Sequence, residues 1–417
     1  MQVIFLQKLK VLSGSVLVCL LTLSLVIYPK EGVGAAISGL KVFWDIVLPS
    51  LLPFFVLSEM MLGMGVVHFL GVLLEPLMRP LFNVPGVGAF ALSMGLAAGY
   101  PMDAVITGKF RRSGLCTQVE GERLLSFTNT ADPLFIFGAV AVGMFGHPEL
   151  GGILAMAHYI GSFSVGIVFK FYKNRNRSET IQSAETISDT YQAGILRRAV
   201  RALLKAHRED GRPFGRLLGD AVKESMSTLL MIGGFIMLFS VIIRMLTVFG
   251  FFGILAPILA GILRIFNMDP HLAHAVFYGI LEIDLGSMAT SRSIAPLVDK
   301  AIIASWIIAW SGLCVHGQVA SVIHDTDIKM APYFAARFLH GLFAAIFTWL
   351  LMGPLMPVFI HFESHTTVNR EFHPLDRIIF SGEQLLVILG ILIGLSILIY
   401  FHRRYRIIFK GKNSSGF

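Results

Sequence analysis

Apolar runs long enough to cross a bilayer recur along the whole sequence. Charged residues make up 14% of the 417 residues and hydrophobic ones 55%, which is too apolar for a water-soluble domain. Since a spanning helix needs about 20 apolar residues, about twelve spans are predicted. They cover 11–28, 40–62, 66–82, 85–108, 124–145, 150–171, 226–249, 251–266, 271–290, 294–323, 332–360 and 385–401. The sequence therefore predicts an all-α polytopic membrane bundle of about 10–12 segments, some of them broken or re-entrant where Gly and Pro interrupt the run.

Lysine and arginine collect in alternate segments between these spans, at 109–123, at 170–223 and in the tail after residue 402. Basic loops stay on the cytoplasmic side, so both termini are predicted to be cytoplasmic. The net charge of +8 is spread over these loops, which argues against nucleic-acid binding. The first span lacks a small-residue cleavage site and is expected to remain as an anchor.

Setting aside the first and last spans leaves five before the central basic loop and five after it. Two copies of a five-span unit must cross in opposite directions, which is the inverted-repeat plan of many secondary transporters. The predicted division is an anchor at 1–39, a first repeat at 40–172, a basic cytoplasmic loop at 173–222, a second repeat at 223–362, and an outer loop, last helix and basic tail at 363–417.

The second half of the central loop has an amphipathic pattern. Its apolar and basic positions fall on opposite helical faces: Ile195, Ala199, Leu203 and Leu204 against Arg197, Arg198, Arg201 and Lys205. This pattern is typical of a helix that lies on anionic lipid headgroups. A basic helix surrounded by solvent has the same pattern, so both interpretations stay open.

Interruptions of the spans are the main functional signal, because unwound backbone inside hydrocarbon persists only beside protein or a watery cavity. In the first, Gly99 permits unusual dihedral angles and Pro101 removes a backbone donor. Gly99 also suits close helix packing, as part of a G-x-x-x-G face. Asp103 follows; it is a candidate for proton or cation coupling, or it reaches the interface and meets Lys109.

The second interruption is the strongest local signal, with four polar side chains before a proline: Thr128, Asn129, Thr130, Asp132 and then Pro133. Because Pro133 cannot bond to the carbonyl of Asn129, that carbonyl is free to face a ligand. The four polar residues are predicted to bind substrate. The alternative is that they only bridge neighbouring helices.

The second half contains two further interruptions. Glu282 and Asp284 lie in an apolar span, where carboxylates are costly and usually functional; we expect ion or proton coupling, or a structural ion pair with Arg244 or Arg292. Gly286 is the predicted break there. In the next span Gly312 is a predicted break, and Ser311, His316 and Gln318 are candidate substrate ligands, although packing explains His316 equally well.

Motifs for covalent chemistry are missing from the sequence. It has no P-loop, H-E-x-x-H or G-x-S-x-G motif, so we expect neither an enzyme nor a bound cofactor. The three cysteines are far apart, and the ligand-like residues at 361–365 lie in a predicted outer loop, so no metal site is expected. Gly390 and Gly394 suit helix packing, including packing between copies in a homo-oligomer.

Four of these segments carry a family resemblance: VLPSLLPFF at 47–55, AGYPMD at 98–103, FTNTADPLFI at 127–136 and SGLCVHGQ at 311–318. They resemble the YlbJ (SpoVV) sporulation integral membrane proteins, over about residues 40–357. That family is similar to the nucleoside-recognition Gate proteins and, more remotely, to concentrative nucleoside transporters. The resemblance implies that both repeats are Gate-like, and that the chain moves dipicolinic acid across the outer forespore membrane, which faces the mother cell.

Dipicolinate is a small dianion, so its site needs cations or helix N-termini. Arg244, Arg292 and Lys109 are the available cations. The leading hypothesis is therefore a transporter whose partners are an anionic small molecule and the lipid bilayer. The alternatives are a non-transporting membrane scaffold or ligand sensor needed for spore cortex formation, and an intramembrane enzyme.

Overall fold

A computed structural model describes residues 2–133, 135–173, 194–352, 390 and 393–398. Within these ranges the chain is helical and has no strand, so the predicted all-α class is confirmed. The α-helices, in chain order, are α1 (Gln2–Ile27), α2 (Pro29–Val42), α3 (Leu48–Gly63), α4 (Val66–Phe82), α5 (Gly88–Ala98), α6 (Met102–Arg112), α7 (Gln118–Thr128), α8 (Leu150–Phe169), α9 (Ile195–Asp210), α10 (Phe214–Val248), α11 (Phe251–Ile265), α12 (Ala273–Leu281), α13 (Ile283–Arg292), α14 (Leu297–Trp310), α15 (Gly312–Val322) and α16 (Met330–Met352). π-helical turns cover Phe43–Val47 and Phe135–Met144.

Four helical segments in the described part of the chain are long and apolar enough to cross a membrane: Leu150–Phe169, Phe214–Val248, Leu297–Val322 and Met330–Met352. Two bent pairs raise this number to six if each pair is one span. The total is below the predicted twelve because several apolar runs are divided between two short helices. The predicted span 85–108, for example, consists of α5 and α6.

The segment 30–39, at the end of the predicted anchor, is helical. It belongs to α2, which begins at Pro29. Proline suits the first position of a helix because its φ is already helical and its missing N–H has no partner there. The axes on either side of this point differ by 105°, so the chain turns sharply between α1 and α2.

Helix α16 joins the two halves of the bundle, because it packs against α8 from the first half and α14 from the second. Helix α10 packs on α2 and α3, and it also contacts α15. The predicted division into domains and the inverted repeat stay predictions, although α16 and α10 both place elements from the two halves side by side.

Three predicted regions lie partly or wholly outside the described residues. Residues 174–193 of the central loop and the outer loop with its 361–365 motif are outside. Of the last predicted span, residues 390 and 393–398 are described and helical, and the Ser396 hydroxyl donates to the carbonyl of Leu73 at 2.6 Å. This bond brings the last helix against α4.

Candidate functional site

Four helix interruptions occur at polar segments that the sequence singled out. They separate α5 from α6 at residues 99–101, α7 from the second π-helical turn at 129–132, α12 from α13 at Glu282, and α14 from α15 at Ser311. In each half of the chain the two interruptions touch each other. We call each of these contacts between two interruptions a crossing point; there is one in each half.

The first crossing point depends on the close approach of Gly99 to Asp132. Gly99 has a φ of 73°, and a Cβ there would lie 2.7 Å from a carboxylate oxygen of Asp132. Only glycine fits such a position. Beside it, the Asp103 carboxylate accepts hydrogen bonds from the Asn129 amide at 2.7 Å and the Thr128 hydroxyl at 3.1 Å. Asp103 thus ties α6 to the end of α7 and does not meet Lys109, which pairs with Glu59 and Glu224.

The second crossing point repeats this arrangement with different residues. Gly312 has a φ of 73°, and a Cβ there would lie 2.8 Å from the Cα of Glu282. The indole of Trp310 donates to the carbonyl of Ile280 at 3.1 Å. A side-chain oxygen of Glu282 accepts from the N–H of Leu285 at 2.7 Å and so caps the start of α13.

Two predicted break positions differ from the structure. Gly286 lies inside α13, where its missing side chain lets α13 pack closely on Gly279 of α12; the interruption is four residues earlier, at Glu282. Pro133 follows an interruption that already begins at Asn129. A proline withholds its own N–H from a residue four positions earlier, so the helix ends upstream of the proline.

Helix α16 supplies two residues that the sequence interpretation missed, Tyr333 and Arg337. The guanidinium of Arg337 donates to the carbonyl oxygens of Asn129 and, at 2.6 Å, of Ser126, while the Tyr333 hydroxyl donates to Asn129 Oδ1 at 2.8 Å. Arg337 is 0% exposed. The carbonyl that Pro133 was predicted to free for a ligand is therefore occupied by Arg337.

A signal for Arg337 was present in the sequence. It is a cation inside the predicted span 332–360, and intramembrane charges are costly and usually have a role. The pair His158 and His340 also lies in this buried layer, with ring centroids 4.6 Å apart. His158 Nε2 accepts from the N–H of Ala131 at 3.0 Å, so this histidine supports the backbone of the second interruption.

A cavity of about 1320 Å³ lies beside the two crossing points. Its walls come from both halves of the chain, including α2, α3, the second π-helical turn, α10, α13 and α15. The wall is largely apolar, with a few convergent polar side chains, as is usual for small-molecule sites. Those polar residues include Asp132, Glu282, Asp284, Gln318, Arg292, His271 and His274.

The predicted site residues fall into two layers. Four of them line the cavity: Asp132, Glu282, Asp284 and Gln318. The others lie behind the wall in the buried network: Asp103, Thr128, Asn129, Thr130, Ser311 and His316. His316 bonds to the carbonyl of Gly312 at 2.8 Å and packs against Trp310. Its contacts correspond to the packing alternative.

Two of the three candidate cations line the cavity, and the third does not. Arg292 and Arg244 line the cavity, but Arg244 pairs with Glu31 at 2.7 Å, and not with Glu282 or Asp284. Lys109 is engaged elsewhere by its two glutamates. The cavity wall therefore holds three carboxylates and two arginines, of which Arg244 is already paired with Glu31.

Comparison with known proteins identifies the family of this chain. Residues 45–168 match the Gate family, which is described as nucleoside recognition. Over 335 residues the chain is 45% identical to the sporulation integral membrane protein YlbJ of Bacillus subtilis (strain 168), covering 80% of this chain and 81% of that protein. The chain belongs to the YlbJ family of sporulation integral membrane proteins. It is accordingly a multi-pass integral membrane protein, and no solved structure matches it.

The Gate match places part of this YlbJ-family site within a known domain. Residues 45–168 include α5, α6, α7 and α8, and hence the whole first crossing point. The second crossing point lies outside the matched residues. A Gate-like second repeat therefore stays a prediction for this YlbJ-family chain.

Proposed function

We propose that this YlbJ-family protein transports a small organic anion, dipicolinic acid, across the outer forespore membrane during sporulation. The observation that carries the proposal is the cavity between the two halves, beside two pairs of touching helix interruptions. Broken helices that meet at a central cavity are the usual substrate site of secondary transporters. In the proposed orientation both termini are cytoplasmic and face the mother cell.

Helix N-termini supply a means of binding an anion here. Helices α13 and α15 begin side by side, since Gly312 lies against the backbone of Glu282. Their first turns both contribute to the cavity wall, through Asp284 and Leu285 and through Cys314 and Val315. The N-terminus of a helix carries partial positive charge and favours anions. Arg292 adds a full positive charge to the same wall.

The carboxylates of the wall oppose an anionic passenger. Asp132, Glu282 and Asp284 share the cavity, and like charges at short range in a partly dry site repel strongly. A dianion can occupy this space only if protons or a cation balance the carboxylates. We therefore assign ion or proton coupling to Glu282 and Asp284, with Asp103 acting behind the wall through Asn129.

The passenger leaves unchanged in this proposal, so the chain is not an enzyme and needs no cofactor.

The network behind the wall has a mechanical role: Arg337, Tyr333 and Asn129 connect α16 to the interruption after α7. Movement of one half against the other would open the cavity alternately to each side. Pairing of copies through Gly390 and Gly394 remains part of the proposal.

A flux measurement tests the proposal. Purified protein in sealed phosphatidylglycerol and phosphatidylcholine vesicles should accelerate entry of dipicolinate relative to empty vesicles. Glu282→Gln should reduce this rate at least about tenfold, because the proposal assigns ion or proton coupling to this carboxylate; a tenfold change corresponds to about 1.4 kcal/mol in the barrier. Glu149→Gln is the matched control, since Glu149 is 55% exposed and pairs with His147. Protein vesicles that are no faster than empty ones would refute transport.

A ligand sensor or scaffold is the second candidate, because the cavity can hold a ligand without passing it on. Calorimetry with dipicolinate, combined with the flux measurement, distinguishes a sensor from a scaffold. A sensor binds dipicolinate with an affinity that Glu282→Gln changes, yet shows no flux. A pure scaffold shows neither binding nor flux.

A further inference from the structure

Helix α9 carries an exposed surface that the transport proposal does not use. One face of the helix packs on α4 and α3. Ala199 on that face is 0% exposed, and the carbonyl of Leu203 lies against Gly65, which has a φ of 80° at the turn between α3 and α4. The helix is therefore a docked element with a fixed orientation.

An ion-pair clamp fixes the far end of α9. Arg212 bonds to Asp210 at 2.8 Å and to Asp220, at the start of α10, at 3.1 Å. The side-chain hydrogen bond from Arg212 holds the pKa of Asp210 below its usual value. The clamp is therefore charged at neutral pH and holds α9 against the beginning of α10.

The exposed side of α9 is divided into two parallel strips. One is apolar: Leu196 is 61%, Val200 44% and Leu204 48% exposed. These residues repeat every fourth position and so form one line along the helix. The second strip is basic and lies beside the first: Arg197, Arg201, Lys205 and Arg208.

The two strips meet at a shallow groove of about 370 Å³. Its wall consists of Arg201, Leu204, Lys205, Arg208 and Glu209. Three basic side chains converge there around one leucine, and Glu209 is 3.8 Å from Lys205 at the edge. An exposed ion pair of this kind contributes little to stability.

We propose that the exposed side of α9 binds anionic phospholipid, with the apolar strip against the acyl chains and the basic strip on the headgroup phosphates. Exposed apolar side chains next to arginines have the composition of a helix that lies in the membrane interface. An acidic protein would satisfy the basic strip alone. An anionic bilayer surface satisfies both, and the chain is already embedded in a bilayer.

Lipid quenching tests the proposal on the full-length protein in nanodiscs. A bimane label is placed at Val200→Cys, with Cys19, the exposed native cysteine, changed to Ser. Quenching by lipids with a nitroxide on the acyl chain should be at least about twofold stronger in phosphatidylglycerol than in phosphatidylcholine. About 1 M salt should remove the difference, because it shortens the screening length to about 3 Å.

Matched variants separate lipid binding from other effects. Arg197→Gln with Arg201→Gln and Lys205→Gln should lower the quenching in phosphatidylglycerol to the phosphatidylcholine level. Arg264→Gln, an exposed arginine on α11, should leave it unchanged. A label at Glu209→Cys, outside the apolar strip, should be quenched less than one at position 200.

Equal quenching at position 200 in both lipids, or none in either, would overturn the proposal. Equal quenching that persists in the triple variant would mean that hydrophobic contact alone places the helix. No quenching would mean that solvent or another protein segment covers the strip. Circular dichroism of each variant checks that the overall helix content is retained, and the quenching result does not depend on whether the chain transports dipicolinate.

Discussion

At the scale of single residues, Arg337 is the largest fully buried side chain among the described residues. Its guanidinium satisfies two carbonyl oxygens at the end of α7, where the last carbonyls of a helix have no partner within the helix. A cation there also balances the negative end of the helix dipole. Arg337 therefore stabilises an interrupted helix that would otherwise expose carbonyls to an apolar interior.

Arg337→Met should lower the free energy of unfolding by about 2–6 kcal/mol, because it leaves two buried acceptors unpaired at about 1–3 kcal/mol each. Thermal unfolding in detergent, followed by circular dichroism, measures the change. Arg337→Lys should recover only part of the loss, since an ammonium does not reproduce the planar fork. Arg264→Met is the control; an equal loss in that variant would contradict the role of Arg337.

Two glycines with similar positive φ values distinguish the cost of crowding from the cost of backbone strain. Gly312 and Gly146 have φ values of 73° and 67°. A Cβ on Gly312 would lie 2.8 Å from the Cα of Glu282, while nothing lies within 4 Å at Gly146. Alanine should cost about 1–2 kcal/mol at each for its positive φ. Gly312→Ala should lower the free energy of unfolding further, because its Cβ is crowded, and it should reduce dipicolinate flux. Equal melting temperatures for the two variants would mean that the crossing point tolerates a side chain.

At the scale of elements, the positions of the helix interruptions could be predicted within a few residues. Glycine, proline and hydrogen-bonding side chains inside apolar runs are local signals, and they mark the ends of α5, α7 and α14. The partners of these residues could not be predicted. Asn129 bonds to Tyr333, which is 204 residues later in the chain, and no local pattern carries information about so distant a contact.

The buried layer connects α6, α7 and α16 through one shared residue, Asn129. Asp103 accepts from the Asn129 amide, and Arg337 binds the Asn129 carbonyl. The two opposite charges are therefore coupled, although Asn129 lies between them. Residues that share a network usually show coupling energies of about 0.5–3 kcal/mol.

A double-mutant cycle on Asp103→Asn and Arg337→Met tests this coupling. Each single variant leaves one buried charge without its opposite, so the double variant should lose less stability than the sum of the two single losses. Unfolding by denaturant in detergent measures all four proteins. Additive losses would show that Asp103 and Arg337 act independently.

A surface link between α6 and the turn before α16 predicts a pH effect. Arg111 forms two bonds to Asp327, at 2.7 and 2.8 Å, and these bonds hold the pKa of Asp327 below its usual value. A carboxyl with a depressed pKa contributes stability above its unfolded pKa and loses it as pH falls through the folded pKa.

The melting temperature of the wild type should therefore fall more steeply than that of Asp327→Asn as the pH is lowered below about 4. The difference should be small, since Asp327 is 50% exposed. Asp299→Asn serves as a control for loss of a carboxylate elsewhere. Parallel curves for wild type and Asp327→Asn would show that the link contributes nothing.

At the scale of the whole molecule, the class and the membrane character followed from composition and from the apolar runs. The cavity did not, because its wall combines residues from α2 to α15 that no single segment reveals. Four predicted site residues line this wall, and six lie behind it. The sequence could identify the polar residues, but it could not show which of them line the cavity and which lie behind its wall. That division depends on how α16 packs between the two halves.

The central claim is that the passenger occupies this cavity. With Cys19→Ser and Cys314→Ala in place, Gln318→Cys puts one reactive thiol on the cavity wall. The rate of its modification by a small thiol reagent should fall at least about fivefold in saturating dipicolinate, as expected when a ligand fills a pocket. If dipicolinate leaves the rate unchanged while it is still transported, the passenger takes another path and the account is contradicted.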